Sequence, residues 1–247
     1  MTLLDAHMIV ELIFDLAKLV LIIVCVRWGI RTYVQLQQPT WSAPLARRRL
    51  TVLLLLVLGL IAVKMIEDVV NEESGIIDKA ILLSVHKHVP QQLTGFFEMV
   101  TFTGSFSFLL VLTVVGSIAF LLARCRFDAL LLSGSVVGAA IVVYVVKLAV
   151  HRVRPTLWMT ESYWGSSFPS GHTLVVAAFA TAIALSATRA WPARRALAVS
   201  LAATWIGLVA LSRLVLGVHW PTDVLAAACI GATLPLVLSV ARDLRNA

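Results

Sequence analysis

Six long apolar stretches, at 50–66, 106–123, 128–150, 172–188, 196–216 and 224–241, dominate the hydropathy pattern of this chain. A membrane-spanning helix needs roughly 20 apolar residues, and each stretch meets or approaches that length. The runs lack the period-2 alternation of membrane strands and are rich in Leu and Ala, so they predict helices. A seventh segment, 8–30, carries Glu11, Asp15, Lys18 and Arg27 around a short apolar centre at 19–26. It is expected to span, the other option being an amphipathic helix in the interface. Between the first two stretches, 67–105 is longer and more polar; within it 76–88 and 91–103 read as short surface helices separated by Pro90. Gly134 and Gly138 form a small-xxx-small pair, which predicts a close helix crossing there. The expected fold is an all-α polytopic membrane bundle. Residues 50–247 form a six-helix core with an outer interfacial segment at 67–105, and 1–49 add one N-terminal helix and a basic loop.

Composition agrees. Of 247 residues, 60% are hydrophobic and only 13% charged, against about 45–50% and about 25% in soluble domains. That excludes an ordinary soluble fold and intrinsic disorder. Cys25, Cys125 and Cys229 are far apart and show no metal-binding spacing, so free thiols are expected. The N-terminus has neither the basic n-region nor the small-residue site of a cleaved signal peptide.

The net charge of +7 would suggest a nucleic-acid partner in a soluble protein. Here its distribution orients the bundle instead, and no nucleic acid is expected. One set of connections holds Arg31, Arg47, Arg48, Arg49, Arg124, Arg126, Arg189, Arg194, Arg195, Arg242 and Arg245, eleven cations; the alternate set holds four, Lys79, Lys87, Arg152 and Arg154. The positive-inside rule makes the first set and the C-terminus cytoplasmic. The loops 150–171 and 217–223, and the segment 67–105, then face outward.

Those outward loops carry the chemistry. Lys147, His151 and Arg154 are spaced i, i+4, i+7 and would share one face of a helix ending near Pro155. Pro169-Ser170-Gly171-His172 stands where a helix begins; Ser170 is suited to cap it, and the N-terminal N–H groups with Gly171 suit an anion. Arg213 lies near the outer end of its helix, and His219 precedes a helix that Pro221 can open. Asp223, four residues on, could accept the imidazole N–H or merely cap the helix. Together these groups suit phosphoryl transfer without a metal or other cofactor. Lys147, Arg154 and Arg213 would neutralise phosphate oxygens, with hydrogen bonds from Ser170 and the Gly171 N–H. His219 would attack phosphorus, and His172 would protonate the leaving oxygen.

The three motifs, Lys147-x6-Arg154-Pro155, Pro169-Ser170-Gly171-His172 and Ser212-Arg213-x5-His219-x3-Asp223, resemble the signature of the type 2 phosphatidic acid phosphatase superfamily. The resemblance covers the chain from about residue 50 onward. It implies a phosphohistidine intermediate on His219 oriented by Asp223. It also implies His172 as general acid and then base, and phosphate binding by Lys147, Arg154, Ser170, Gly171 and Arg213. Membrane members act on lipid phosphates, so the expected activity is a lipid phosphate phosphatase, with an isoprenyl (undecaprenyl) diphosphate or a glycerophospholipid phosphate as substrate. The expected location is a bacterial cytoplasmic membrane with the site facing the exterior. His151, Arg152, Trp158, Tyr163, Trp164 and Trp220 are candidate substrate contacts, although an aromatic belt at the interface accounts for each Trp more simply. His86 and His88 are expected to face solvent, and Glu98 is a candidate supporting group.

Three other readings use the same residues. A phosphotransferase would pass the phosphoryl group to another lipid or glycan. A vanadium haloperoxidase shares a similar anion site but is soluble, which the apolar stretches oppose. A non-catalytic anion-binding scaffold or transporter would carry charges along a midplane path, whereas most charges here sit at helix ends.

Overall fold

The computed structural model describes residues 3–37, 48–158 and 165–245, and every described element is helical. The chain runs through α1 (Leu3–Gln37), α2 (Arg49–Val70), α3 (Gly75–His88), α4 (Thr94–Thr103), α5 (Phe106–Leu122), α6 (Arg126–Ala149), α7 (Gly171–Ala190), α8 (Arg195–Val215) and α9 (Pro221–Arg245). Short 3-10 turns at Gln91–Leu93 and Pro192–Arg194 lead into α4 and α8. α2, α6, α7, α8 with its leading turn, and α9 are each long and apolar enough to cross a membrane. The stretch from Gln91 through α5, bent by 44°, has the length and composition of a broken span or a re-entrant loop. The protein is therefore a multi-pass, all-α membrane bundle. α1 is continuous through the N-terminal segment expected to span or to lie in the interface.

α7 is the hub. Leu174, Val176, Ala178 and Ala182 on it are fully buried, against Leu132, Val136 and Ala139 of α6, Val209 of α8 and Ala227 of α9. Its run of alanines keeps the helix thin enough for neighbours on several sides, and α6, α8 and α9 all pack on it. α2 lies outside α9, and α5 outside α6. The outer faces remain apolar, as lipid contact requires: Val111, Val115 and Ile118 of α5, and Val137, Ile141 and Val145 of α6, are exposed. At the end of the bundle carrying the arginine-rich connections, Arg189 pairs with Asp128 at 2.5 Å and Arg48 with Asp243 at 2.9 Å.

The close crossing is not at Gly134 and Gly138. A Cβ added there would meet only the tips of Leu238 and Leu234, at 3.7 and 3.9 Å, because large side chains of α9 fill that gap. The intimate contact is at Gly231 of α9, where a Cβ would stand 2.3 Å from the Leu174 carbonyl oxygen and 2.8 Å from the Ala177 Cβ. Backbone cannot yield as a leucine tip can. Gly231→Ala is therefore expected to force α7 and α9 apart at a cost of about 1–3 kcal/mol. A lowered thermal midpoint in detergent would register it, while Gly134→Ala should leave the midpoint near that of the parent.

Candidate active site

The three motifs meet at one end of the bundle. α6 stops at Ala149, short of the end near Pro155 that the cation spacing suggested, so Lys147 is helical while His151 and Arg154 are not. The reason lies in the backbone beyond it. Val150 is extended, and the strap that follows bonds to the loop before α7: Ser167 N donates to Arg152 O at 2.9 Å, and Arg152 N to Ser166 Oγ at 3.1 Å. Ser166 Oγ also accepts from Phe168 N at 3.2 Å. Strap and loop thus form one unit that carries Arg154 to the site.

Lys147 Nζ donates to the Ser166 carbonyl. Arg154 Nη1 donates to the Val218 carbonyl at 2.8 Å and stands 3.4 Å from His219 Nε2. Arg213, only 1% exposed, donates from Nη1 to Thr101 Oγ1 of α4 at 2.7 Å. Ser212 bonds back to the Val209 carbonyl at 2.7 Å, within its own helix. His172 lies in the first turn of α7, within the field of Arg213, Lys147, Arg154 and His219. Gly171 begins α7. Ser170 occupies the N-cap position but its side chain makes no cap bond, contrary to expectation. It is fully buried, and its hydroxyl instead accepts from Thr173 Oγ1 at 3.1 Å, so the serine is turned into the first turn of α7.

Asp223 closes α9 and lies beside the imidazole. Its Oδ2 accepts the Trp220 N–H at 2.8 Å, which closes the N-terminus of α9, and stands 3.5 Å from His219 Nδ1. The same oxygen accepts from Ser167 Oγ, while Oδ1 accepts from Arg152 Nη1 at 2.5 Å. Asp223 is completely buried, and His219 nearly so. Burial is the largest influence on the His219 imidazole and pushes it down to about 4, against the raising effect of Asp223 and with help from Arg213 and Arg154. The ring is therefore neutral at physiological pH. The expected signature in 15N-histidine spectra is one imidazole, absent from His219→Asn, that is still neutral at pH 5.5; a protonated ring at that pH would contradict it.

Gly217 fixes the approach of this loop. Its φ of +65° lies in the left-handed region, and a Cβ would fall 2.4 Å from the Trp158 ring. Trp158 also stacks on His86 of α3, with centroids 4.1 Å apart. Trp158 is thus a wedge between α3 and the His219 loop, and His86, although exposed, has a stacking partner. His88 bonds its own helix, with Nδ1 2.8 Å from the Ser84 carbonyl.

The remaining candidates sort by geometry. The Arg152 guanidinium is engaged inside the protein, pairing with Asp78 and Asp223, each at 2.5 Å. Trp220 lies along the strap, donating from Nε1 to the Val153 carbonyl at 2.9 Å, with the Arg152 guanidinium 5.8 Å from its ring. His151 and Glu98 are exposed. Tyr163 and Trp164 lie outside the described residues. Sequence reasoning missed Asp78, Ser74, Ser167, Thr222 and Thr101. No spacing rule could have joined them, since Asp78 and Thr222 lie 144 positions apart and meet only through the packing of α3.

Residues 128–246, which contain all three motifs, match the model of the PAP2 superfamily. Phosphatidylglycerophosphatase B of Escherichia coli (strain K12) is 40% identical over 80 residues, which is 32% of this chain and 30% of that protein. The match thus spans under a third of that relative. Phosphatidylglycerophosphatase B of Bacillus subtilis (strain 168) is 29% identical over 170 residues, covering 68% of this chain and 82% of its own. A crystal structure of a transmembrane PAP2-type phosphatidylglycerolphosphate phosphatase from Bacillus subtilis superposes with a TM-score of 0.65 at 27% identity, over 76% of this chain and 94% of that one. Residues 128–246 thus match the PAP2 superfamily, with the three motifs folded onto one end of a helical bundle similar to that PAP2-type structure.

Proposed function

We propose that this protein is an integral-membrane lipid phosphatase that works through a phosphohistidine on His219. The observation that carries the reading is the setting of one buried imidazole, with Nε2 3.4 Å from Arg154 Nη1 and Nδ1 3.5 Å from the Asp223 carboxylate. A proton held on Nδ1 leaves the Nε2 lone pair available beside the cations that would bind phosphate.

In the first step Nε2 attacks phosphorus in line, and the bond from phosphorus to the leaving oxygen breaks. His172 gives that oxygen its proton, releasing the dephosphorylated lipid or, from a diphosphate, the lipid monophosphate. Lys147, Arg154 and Arg213 carry the charge on the equatorial oxygens, with hydrogen bonds from Ser170 and the Gly171 N–H. In the second step His172 takes a proton from water, the water oxygen attacks phosphorus, and the P–N bond breaks. Orthophosphate leaves and His219 is restored.

The excess of arginine at the other end of the bundle supports an outward-facing site and a cytoplasmic C-terminus in a bacterial inner membrane. A lipid could keep its tail in the bilayer and present its phosphate at the water boundary. An isoprenyl diphosphate such as undecaprenyl diphosphate, or a glycerophospholipid phosphate such as phosphatidylglycerol phosphate, fits that geometry. The test is phosphate release by the purified full-length protein from a panel of these lipids and phosphatidic acid, scored by kcat/KM. Metal-independent turnover of at least one is expected, and no release from any would overturn the reading.

A further inference from the structure

We propose that Asp78 of α3 and Arg152 of the strap are positioning residues that hold the Asp223 carboxylate against His219, so that docking of the outer helix α3 helps to assemble the nucleophile. The inference rests on the reading of His219 as nucleophile. Its own basis is a buried relay that none of the three motifs contains.

Asp78 is completely buried although it lies on a helix of the outer segment. Its Oδ1 accepts the Thr222 N–H at 2.9 Å, and its Oδ2 accepts from Thr222 Oγ1 at 2.7 Å. The carboxylate therefore sits on the N-terminal end of α9, where a negative charge is favoured. Arg152 Nη2 donates to Asp78 Oδ2 at 2.5 Å and to Ser74 Oγ at 2.8 Å. Its other arm, Nη1, donates to Asp223 Oδ1 at 2.5 Å and to Thr222 Oγ1 at 2.7 Å. One planar guanidinium, 14% exposed at its side chain, thus bridges two carboxylates with no exposure at all.

Charge explains why both partners are needed. Two buried carboxylates this close would repel each other, and Arg152 joins them. Arg152 alone would neutralise Asp223 and weaken its hold on the His219 Nδ1 proton. Asp78 balances Arg152, so the relay stays net negative beside an imidazole that also faces Arg154, Arg213 and His172. Position follows the same path. Thr222 and Asp223 are consecutive in the first turn of α9, so the contact from α3 sets the height of the carboxylate relative to His219. The stack of His86 on Trp158, over Gly217, joins α3 to the same loop a second time.

The experiment compares the full-length parent with Asp78→Asn, Arg152→Gln, the double variant and Arg152→Lys, in detergent–lipid micelles with the preferred substrate of the parent. Thermal midpoints are measured in parallel, and rates are expressed per folded molecule. Asp78→Asn and Arg152→Gln are each expected to lower kcat by about 10²-fold, with KM within about twofold of the parent. The double variant should fall little below the worse single, as for residues that act as one unit. Arg152→Lys keeps the charge but loses the fork, and is expected to remain impaired. Parental kcat in Asp78→Asn or in Arg152→Lys, or losses that simply multiply in the double variant, would overturn the inference while leaving the phosphatase reading intact. A parent that releases no phosphate from any lipid would overturn both.

Discussion

His219→Ala is expected to lower phosphate release by about 10⁴-fold or more, with the thermal midpoint close to that of the parent. The imidazole is the group that would form the covalent bond to phosphorus, and neither Arg154 nor His172 can substitute for it as nucleophile. Lys147, Arg154 and Arg213 would still bind the phosphate, so binding of a non-hydrolysed lipid phosphate should persist while turnover disappears. Acid-sensitive labelling of the protein by a 32P-lipid should vanish with it. His88→Ala is the matched control, since His88 is exposed and bonds back to Ser84 within α3. Release by His219→Ala within tenfold of the parent would remove His219 from the chemistry.

Asp223→Asn should come next, with a loss in kcat of about 10⁴-fold, the scale seen when the orienting carboxylate of a histidine is made an amide. Neither orientation of the new side chain fits. With its NH2 at the Oδ1 position it confronts the Arg152 guanidinium. With its NH2 at the Oδ2 position it confronts the Trp220 N–H and His219 Nδ1, and would favour the tautomer whose Nε2 carries the proton. That tautomer has no lone pair for phosphorus. The substitution also removes one partner from a buried ion pair, for which about 3–5 kcal/mol of stability is ordinarily lost. A lowered midpoint should therefore accompany the kinetic defect, which separates this variant from His219→Ala. A kcat above a tenth of the parental value would mean that Asp223 only caps α9.

Much of the fold was legible because a bilayer leaves few choices. Long apolar runs must be helices, and five of the six, 50–66, 128–150, 172–188, 196–216 and 224–241, appear as single long helices. The stretch at 106–123 is a 17-residue helix, α5, bent against the segment before it. Pro90 separates α3 from the turn that leads into α4, as its missing N–H requires. Packing was not legible in the same way. Gly134 and Gly138 have the spacing of a crossing motif, yet Gly231 makes the close contact, because contact depends on which helix lies opposite.

The site divides along the same line. Lys147, Arg154, Ser170, His172, Arg213, His219 and Asp223 could be proposed from spacing, because few residue types suit a phosphate and charges at helix ends stand out in an apolar chain. The supports of the site could not be read that way. Arg152 looked like one more outward cation until its two arms were found on Asp78 and Asp223. Trp158 looked like a belt residue until it was found wedged on Gly217. The sequence by itself determined the membrane class, the orientation that its charges favour and the groups proposed for the chemistry, because these follow from local composition and fixed spacings. Only the tertiary structure decided which buried charges are paired and which carboxylate faces which imidazole. Those contacts join residues far apart in the chain, and their energy depends on burial that no local pattern encodes.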